Sequence, residues 1–206
     1  MAVSKTCPAV SVRAAFDAGE RDFGENYVQE ALAKIVELAD LRAAIRWHLI
    51  GPLQSNKTRE VATNFDWVHS VDRLKLAQRL SDQRPPELPP LQVCLQVNIS
   101  GEASKSGVAP ADALALAKTV ASLPRLQLRG LMAIPEAAAD IESQRAPHRA
   151  LRELMASLNA EGLALDTLSI GMSGDLEAAI AEGATWVRIG TAIFGGRPPK
   201  PVVDEP

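Results

Sequence analysis

The stretch Ser4-Lys5-Thr6-Cys7-Pro8 follows the first short apolar run of the chain and decides between two folds. Short apolar runs alternate with longer Ala- and Leu-rich stretches along the whole chain, which is typical of α/β proteins. Eight such units fit either an open doubly wound sheet or a closed (β/α)8 barrel. An open nucleotide-binding sheet carries a GxGxxG turn after its first strand, and this stretch contains no glycine. The sequence therefore predicts a TIM barrel.

Eight apolar runs, most of them bounded by Gly, Pro, Ser or Asn, are predicted to be the strands of this barrel. They are Ala2–Ser4, Arg21–Gly24, Trp47–Ile50, Trp67–Ser70, Gln92–Asn98, Gln127–Met132, Thr167–Ile170 and Trp186–Ile189. Helices are predicted between them, where apolar residues are spaced by three and four. They include Val28–Leu41, Arg73–Arg84, Ala111–Leu123, Glu142–Glu161 and Leu176–Glu182. We expect one domain over residues 1–196 and a flexible tail over residues 197–206.

The composition of the 206 residues excludes several classes of function. Apolar residues at 47% and charged residues at 23% are typical of a folded globular chain. The net charge of −3, without a basic stripe, argues against a nucleic acid partner. No apolar stretch approaches the roughly 20 residues that span a bilayer, and Cys7 and Cys94 lack the spacing of a metal site. We therefore expect a reduced, cytoplasmic protein with no membrane or metal partner, and we expect a monomer.

Lys5 is the first candidate for chemistry, because it follows the first strand at the barrel face where active sites lie. Partial desolvation at such a mouth favours the neutral amine, which is a nucleophile toward an aldehyde. The alternative is an ordinary solvated lysine whose stem covers apolar surface. Lys5 therefore needs a partner elsewhere in the chain before a site can be assigned.

Two turns of small residues supply that partner, Ser169–Asp175 after the seventh strand and Arg188–Thr191 after the eighth. Barrels commonly bind phosphate at these two loops, because backbone N–H groups converge there without obstruction by side chains. Ser173 and Thr191 would each add a hydroxyl donor. Either hydroxyl could instead cap a helix, and the two roles are compatible.

Arg188 is expected to point into the barrel near its top, because alternation along the strand turns its two neighbours outward. A buried guanidinium needs an acceptor, which is a carboxylate in a structural ion pair, a phosphate or an aromatic nitrogen. A lysine, a phosphate cradle and an arginine together suit a phosphorylated aldehyde. Pyridoxal 5′-phosphate is the clearest candidate.

Several sequence blocks point to the same ligand. In order along the chain they are Ala2–Thr6, Phe23–Glu30, Trp47–Lys57, Asn98–Ser100 with Lys105–Gly107, Gly130–Pro135, Met172–Asp175 and Val187–Gly195. Through these blocks the chain resembles the pyridoxal phosphate homeostasis proteins, the YggS/PROSC family, over almost its whole length. The resemblance implies a barrel like the N-terminal domain of alanine racemase. It implies Lys5 as the Schiff-base lysine, Arg188 facing the pyridine nitrogen, and Ser173, Gly190 and Thr191 around the phosphate.

Asn26, His48 and Met132 match motif positions whose side chains would line the same mouth. Each also has a structural explanation: Asn26 begins a capping box, His48 is a hydrogen-bonded core histidine, and Met132 is packing. The acidic residues Glu25 and Glu30 are assigned to electrostatics at a helix start.

Two features depart from the pattern of the family. Its members carry an N-terminal helix and a longer first strand before this lysine, whereas Met1 lies four residues from Lys5 here. The resemblance therefore implies that the N-terminal capping helix is missing. Cys7 also stands where many members have a second lysine, which leaves less positive charge near the site.

The function expected from these residues is that of a cofactor carrier. An arginine at the pyridine nitrogen disfavours the protonated ring that stabilises a carbanion. The chain is therefore predicted to hold pyridoxal 5′-phosphate as a lysine aldimine and to take part in its intracellular homeostasis, by buffering it or delivering it to apo-enzymes. The alternative is a single-domain racemase or related enzyme, which requires a second acid/base group opposite Lys5; His48 is the least poor candidate.

Overall fold

A computed structural model describes residues 1–102 and 105–196, so the predicted flexible tail lies outside the described residues. Within them, seven parallel strands form one sheet in the order of the chain. They are β1 (Ala2–Val3), β2 (Asp22–Glu25), β3 (Arg46–Leu49), β4 (Trp67–Val71), β5 (Leu91–Gln96), β6 (Leu126–Met132) and β7 (Thr167–Ser169). Each coincides with a predicted strand to within a residue or two.

The eighth predicted strand, Trp186–Ile189, is not a regular strand of this sheet. Isolated bridges join its first residue to Ser169 of β7 and its last residue to Ala2 of β1. Between these bridges, the Arg188 N–H does not bond to a neighbouring strand; it donates to the Gly171 carbonyl, in the loop after β7, at 3.0 Å. The segment thus touches both outer strands, because the sheet is curled and brings β1 toward β7. We refer to residues 186–189 as the bridged segment.

A helix follows each strand and the bridged segment. The helices are α1 (Ala9–Asp17), α2 (Val28–Glu37), α3 (Thr58–Asn64), α4 (Leu74–Gln83), α5 (Ala113–Ala121), α6 (Ile141–Ala160), α7 (Leu176–Ala181) and α8 (Thr191–Phe194). In α2, burial of Val28, Ala31 and Ile35 reproduces the spacing of three and four. The sequence pattern does not predict α1 and α3, because each buries only two or three mostly small side chains.

The main apolar core lies between the sheet and its helices and contains side chains such as Phe23, Trp47 and Leu131. A separate small cluster of Trp67, Cys94 and Met132 lies apart from it. No helix in the described part of the chain is both long enough and apolar enough to cross a membrane. In folds of this kind, functional sites lie at the carboxyl ends of the strands and in the loops that follow them.

Candidate functional site

A cavity of about 290 Å³ opens at the carboxyl ends of the strands. Six of the eight predicted site residues line it: Lys5, Asn26, Ser173, Arg188, Gly190 and Thr191. They come from the loops after β1, β2 and β7 and from the end of the bridged segment. Residues at the two ends of the chain therefore meet in one place, because the curled sheet brings its outer strands together.

Lys5 is half-buried in the loop that follows β1. This loop turns tightly, since the Cys7 N–H donates to the Ser4 carbonyl at 3.0 Å. Thr6 has a φ of 64°, in the left-handed region that β-branched residues rarely adopt. Such strain persists only where surrounding contacts hold it, and here the Thr6 N–H donates to Glu30 Oε1 at 2.5 Å. The strained turn fixes the direction from which Lys5 reaches the cavity.

A charged cluster of Glu25, Glu30 and Lys34 lies beneath this turn. Lys34 Nζ donates to Glu25 Oε1 at 2.7 Å and to Glu30 Oε1 at 2.6 Å. Two more hydrogen bonds tie the turn to this cluster: Lys34 Nζ donates to the Ser4 carbonyl at 2.6 Å, and the Ser4 hydroxyl donates to Glu25 Oε1 at 2.6 Å. Burial raises the pKa of Glu25, and the adjacent ammonium of Lys34 opposes that effect.

This geometry changes the interpretation of the two acidic residues. Glu30 does lie in the first turn of α2, as the sequence predicts. However, Glu25 is fully buried, and both carboxylates anchor the turn that carries Lys5. Helix-start electrostatics is therefore not their main role. The spacing of four between Glu30 and Lys34 was the one sequence signal of this cluster.

The loop after β7 and the end of the bridged segment expose backbone to the cavity. The N–H groups of Ser173, Gly174 and Gly190 have no acceptor within residues 1–102 and 105–196. The first loop is shaped by Gly171, whose φ is 88° and whose position would place a Cβ 2.4 Å from the Ala179 Cβ of α7. Only glycine lets α7 pack so closely against the loop, which leaves the donors beyond it open to the cavity.

The hydroxyls of Ser173 and Thr191 do not cap the following helices, which was the alternative to phosphate binding. Asp175 is the N-cap residue of α7 and Gly190 that of α8, and neither helix has a side-chain cap. Within the described chain, neither hydroxyl is hydrogen-bonded to protein. Both residues line the cavity, so their hydroxyls are available as donors to a ligand there.

Arg188 lines the cavity and is only 5% exposed. Its guanidinium donates to the Ser169 carbonyl at 2.5 Å, to Ser169 Oγ at 3.1 Å and to the Ala133 carbonyl at 2.9 Å. No carboxylate in the described residues lies within salt-bridge distance of it, so the structural ion pair considered above is not formed. Burial lowers the pKa of Arg188 to about 10, which still leaves it protonated at neutral pH.

The remaining three predicted residues separate into two groups. Asn26 lines the cavity, and its Oδ1 is buried without a hydrogen-bond partner in the described structure. It does not cap α2, whose N-cap residue is Tyr27. His48 and Met132 are fully buried and do not line the cavity. Their structural explanations, a hydrogen-bonded core histidine and a packing methionine, describe where they lie.

Known proteins are similar to this chain in sequence and in fold. Residues 1–198 match the family described as alanine racemase, N-terminal domain. The chain is 68% identical over 197 residues to the pyridoxal phosphate homeostasis protein of Pseudomonas aeruginosa, covering 96% of this chain and 84% of that protein. It is 56% identical over 198 residues to the Escherichia coli (strain K12) protein of the same name, covering 96% and 85%. The structure of PipY from Synechococcus elongatus PCC7942 with PLP bound is 43% identical, with a TM-score of 0.86 over 95% of this chain and 91% of PipY.

Proposed function

Because the chain belongs to the pyridoxal phosphate homeostasis proteins, built on the N-terminal domain of alanine racemase, we propose that its cavity holds pyridoxal 5′-phosphate. The observation that carries this proposal is the convergence of Lys5, Arg188 and the open backbone at Ser173, Gly174 and Gly190 on one cavity. These groups match an aldehyde, a pyridine nitrogen and a phosphate, respectively. The protein then serves cofactor homeostasis by buffering pyridoxal 5′-phosphate and delivering it to apo-enzymes.

The complete architecture in this proposal is an eight-stranded barrel closed by the bridged segment. Two hydrogen bonds join that segment to β1 and to the residue before it: the Val3 N–H donates to the Ile189 carbonyl at 2.8 Å, and the Ile189 N–H donates to the Met1 carbonyl at 3.2 Å. On the other side, the Ile170 N–H donates to the Trp186 carbonyl at 3.1 Å. Closure places the last phosphate-facing loop beside Lys5.

Lys5 is the Schiff-base lysine in this account. When bound, pyridoxal 5′-phosphate supplies an aldehyde that condenses reversibly with a primary amine and releases water. Lys5 presents its amine at the cavity from a turn that the cluster of Glu25, Glu30 and Lys34 holds rigid. Such preorganisation favours capture of the aldehyde, because the chain does not have to order the loop on binding.

The hydroxyls of Ser173 and Thr191 and the N–H groups of Gly174 and Gly190 would hold the phosphate. The available donors suit a dianion, since hydrogen bonds to a charged acceptor are stronger than neutral ones. The unpaired Oδ1 of Asn26 also fits a ligand-binding cavity, because a buried acceptor without a partner is costly unless a ligand or water satisfies it.

Arg188 would donate to the pyridine nitrogen and so keep it unprotonated, since the guanidinium is itself a donor. An unprotonated ring is a weak electron sink, which supports a carrier over a racemase. Lys5 and Arg188 are also the two ionisable side chains that line the described cavity. A racemase needs a second acid/base group there, and His48 is buried elsewhere.

The test compares binding of pyridoxal 5′-phosphate with binding of pyridoxal, which lacks the phosphate. We expect pyridoxal to bind on the order of a hundredfold more weakly, because it forfeits several charge-assisted hydrogen bonds. Replacing both Ser173 and Thr191 by Ala should reduce the difference in affinity between the two ligands. In a separate assay, the protein loaded with pyridoxal 5′-phosphate should reactivate an apo-transaminase. Equal affinities for the two ligands would refute the phosphate site.

A further inference from the structure

A line of hydrogen-bonded side chains crosses the interior of the curled sheet and ends at Arg188. The interior chain consists of Asp22 (β2), His48 (β3), His69 (β4), Ser169 (β7) and Arg188. The four links are 3.0 Å from Asp22 Oδ1 to His48 Nε2, 3.0 Å from His48 Nδ1 to His69 Nε2, 2.8 Å from His69 Nδ1 to Ser169 Oγ, and 3.1 Å from Ser169 Oγ to Arg188 Nη1. All five residues are no more than 7% exposed.

The direction of every link follows from the chemistry of its groups. The Asp22 carboxylate can only accept, so His48 carries its proton on Nε2 and donates to it. A neutral His48 then accepts at Nδ1, so His69 carries its proton on Nε2 and donates to it. His69 Nδ1 is left as an acceptor for the Ser169 hydroxyl, whose oxygen accepts from Arg188 Nη1. The interior chain therefore runs one way, from a cation to an anion, through two neutral imidazoles.

Burial supports this assignment of protons. Burial lowers the pKa of His48 and of His69, so both imidazoles are neutral at pH 7. Burial would raise the pKa of Asp22, but hydrogen bonds from His48 and Arg46 outweigh it and hold the pKa well below its usual range. A neutral His69 has one donor and one acceptor, and the interior chain uses both.

The interior chain also determines which Arg188 donors are left for a ligand. Nη1 is occupied by the two oxygen atoms of Ser169, and one N–H of Nη2 by the Ala133 carbonyl. The Nε–H and the second Nη2 N–H have no acceptor within the described residues. Because Ser169 Oγ is itself held by His69, the orientation of these two donors depends on a residue of β4.

We propose that His69, acting through Ser169, is a positioning residue that orients Arg188 toward the pyridine nitrogen of the bound cofactor. This inference rests on the proposed function, because the pyridine nitrogen is the group that Arg188 would bind. It extends the cofactor site from the cavity wall to the interior of the sheet. It also explains why two neutral histidines lie in a core that apolar residues could have filled.

The test measures the preference of the protein for pyridoxal 5′-phosphate over its 1-deaza analogue, in which CH replaces the ring nitrogen. Dissociation constants for both ligands are obtained by absorbance titration of the wild-type protein and of His69→Leu, His69→Gln and Val93→Ala. Leu removes both hydrogen bonds of His69, whereas Gln retains one donor and one acceptor. Val93, in the apolar core of β5, provides a destabilised control whose interior chain is intact.

We expect the wild type and Val93→Ala to prefer the nitrogen-containing ligand by about tenfold or more. His69→Leu should reduce that preference to near unity, and His69→Gln should restore most of it. If His69→Leu does not fold, Ser169→Ala breaks the same link and should give the same loss. A preference that survives in His69→Leu or Ser169→Ala would overturn the inference while leaving the proposed function intact. Failure of the wild type to bind either ligand would instead overturn the proposed function.

Discussion

The two buried histidines make stability depend on pH in a way that can be calculated. In the unfolded chain an imidazole takes up a proton near pH 6.5, whereas burial, together with nearby His48 and Arg188, lowers the pKa of His69 well below that value in the fold. Below pH 6.5 the unfolded state therefore binds a proton that the folded state does not bind, so the free energy of unfolding falls as pH falls. The loss approaches about 1.4 kcal/mol per pH unit for each such group. Between pH 7.5 and 5.5, His69 should contribute a loss of about 1 kcal/mol in the free energy of unfolding.

The assay is urea denaturation of the cofactor-free protein at pH 7.5, 6.5 and 5.5, with His69→Gln as the comparison. Gln keeps one donor and one acceptor but cannot be protonated, so the variant should lose about 1 kcal/mol less stability than the wild type over this range. Val93→Ala controls for general destabilisation and should follow the wild-type slope. Parallel pH profiles for wild type and His69→Gln would mean that the folded protein protonates His69, and the reasoning would be refuted.

Three further outcomes are expected. Gly171→Ala should lower the free energy of unfolding by about 3 kcal/mol, and Gly162→Ala by about 1 kcal/mol. Both residues have a left-handed φ, but only the new Cβ at position 171 would clash with Ala179. Equal losses of stability in urea denaturation would contradict this. Lys34→Met should destabilise the fold by about 3 to 5 kcal/mol, because it leaves the Glu25 carboxylate buried without its cation. The double variant with Glu25→Gln should recover part of that stability. Purely additive losses from the two substitutions would contradict the pairing. Loss of α-deuterium from labelled amino acids should stay at the rate given by free pyridoxal 5′-phosphate, and protein-dependent exchange would favour the racemase alternative.

Most of the sheet was predictable because its strands are short apolar runs bounded by turn residues. The bridged segment was predicted as a regular strand, but its pairing depends on the neighbouring loops as well as on its own residues. The Arg188 N–H bonds the Gly171 carbonyl after β7 instead of continuing the ladder. The sequence pattern does not predict helices α1 and α3, because weakly apolar helix faces give little periodic signal.

In the site, residues that follow strands were predictable, since parallel strands deliver them to one edge. The contacts beneath them were not, because they depend on how the sheet curls. His69 and Ser169 are 100 positions apart and meet only in the folded interior. The motif around His48 is visible in the sequence, but its partners on β2 and β4 depend on the fold.

The central claim is that Lys5 carries the cofactor. The direct measurement is borohydride reduction of the protein loaded with pyridoxal 5′-phosphate, followed by peptide mass spectrometry. We expect about one pyridoxyl group per chain, on the peptide that contains Lys5. The control variant Lys57→Ala should give the same result, because Lys57 does not line the cavity. Lys5→Ala should lose that adduct. A reducible adduct of the same stoichiometry in Lys5→Ala, or one mapped to another lysine in the wild type, would contradict the account.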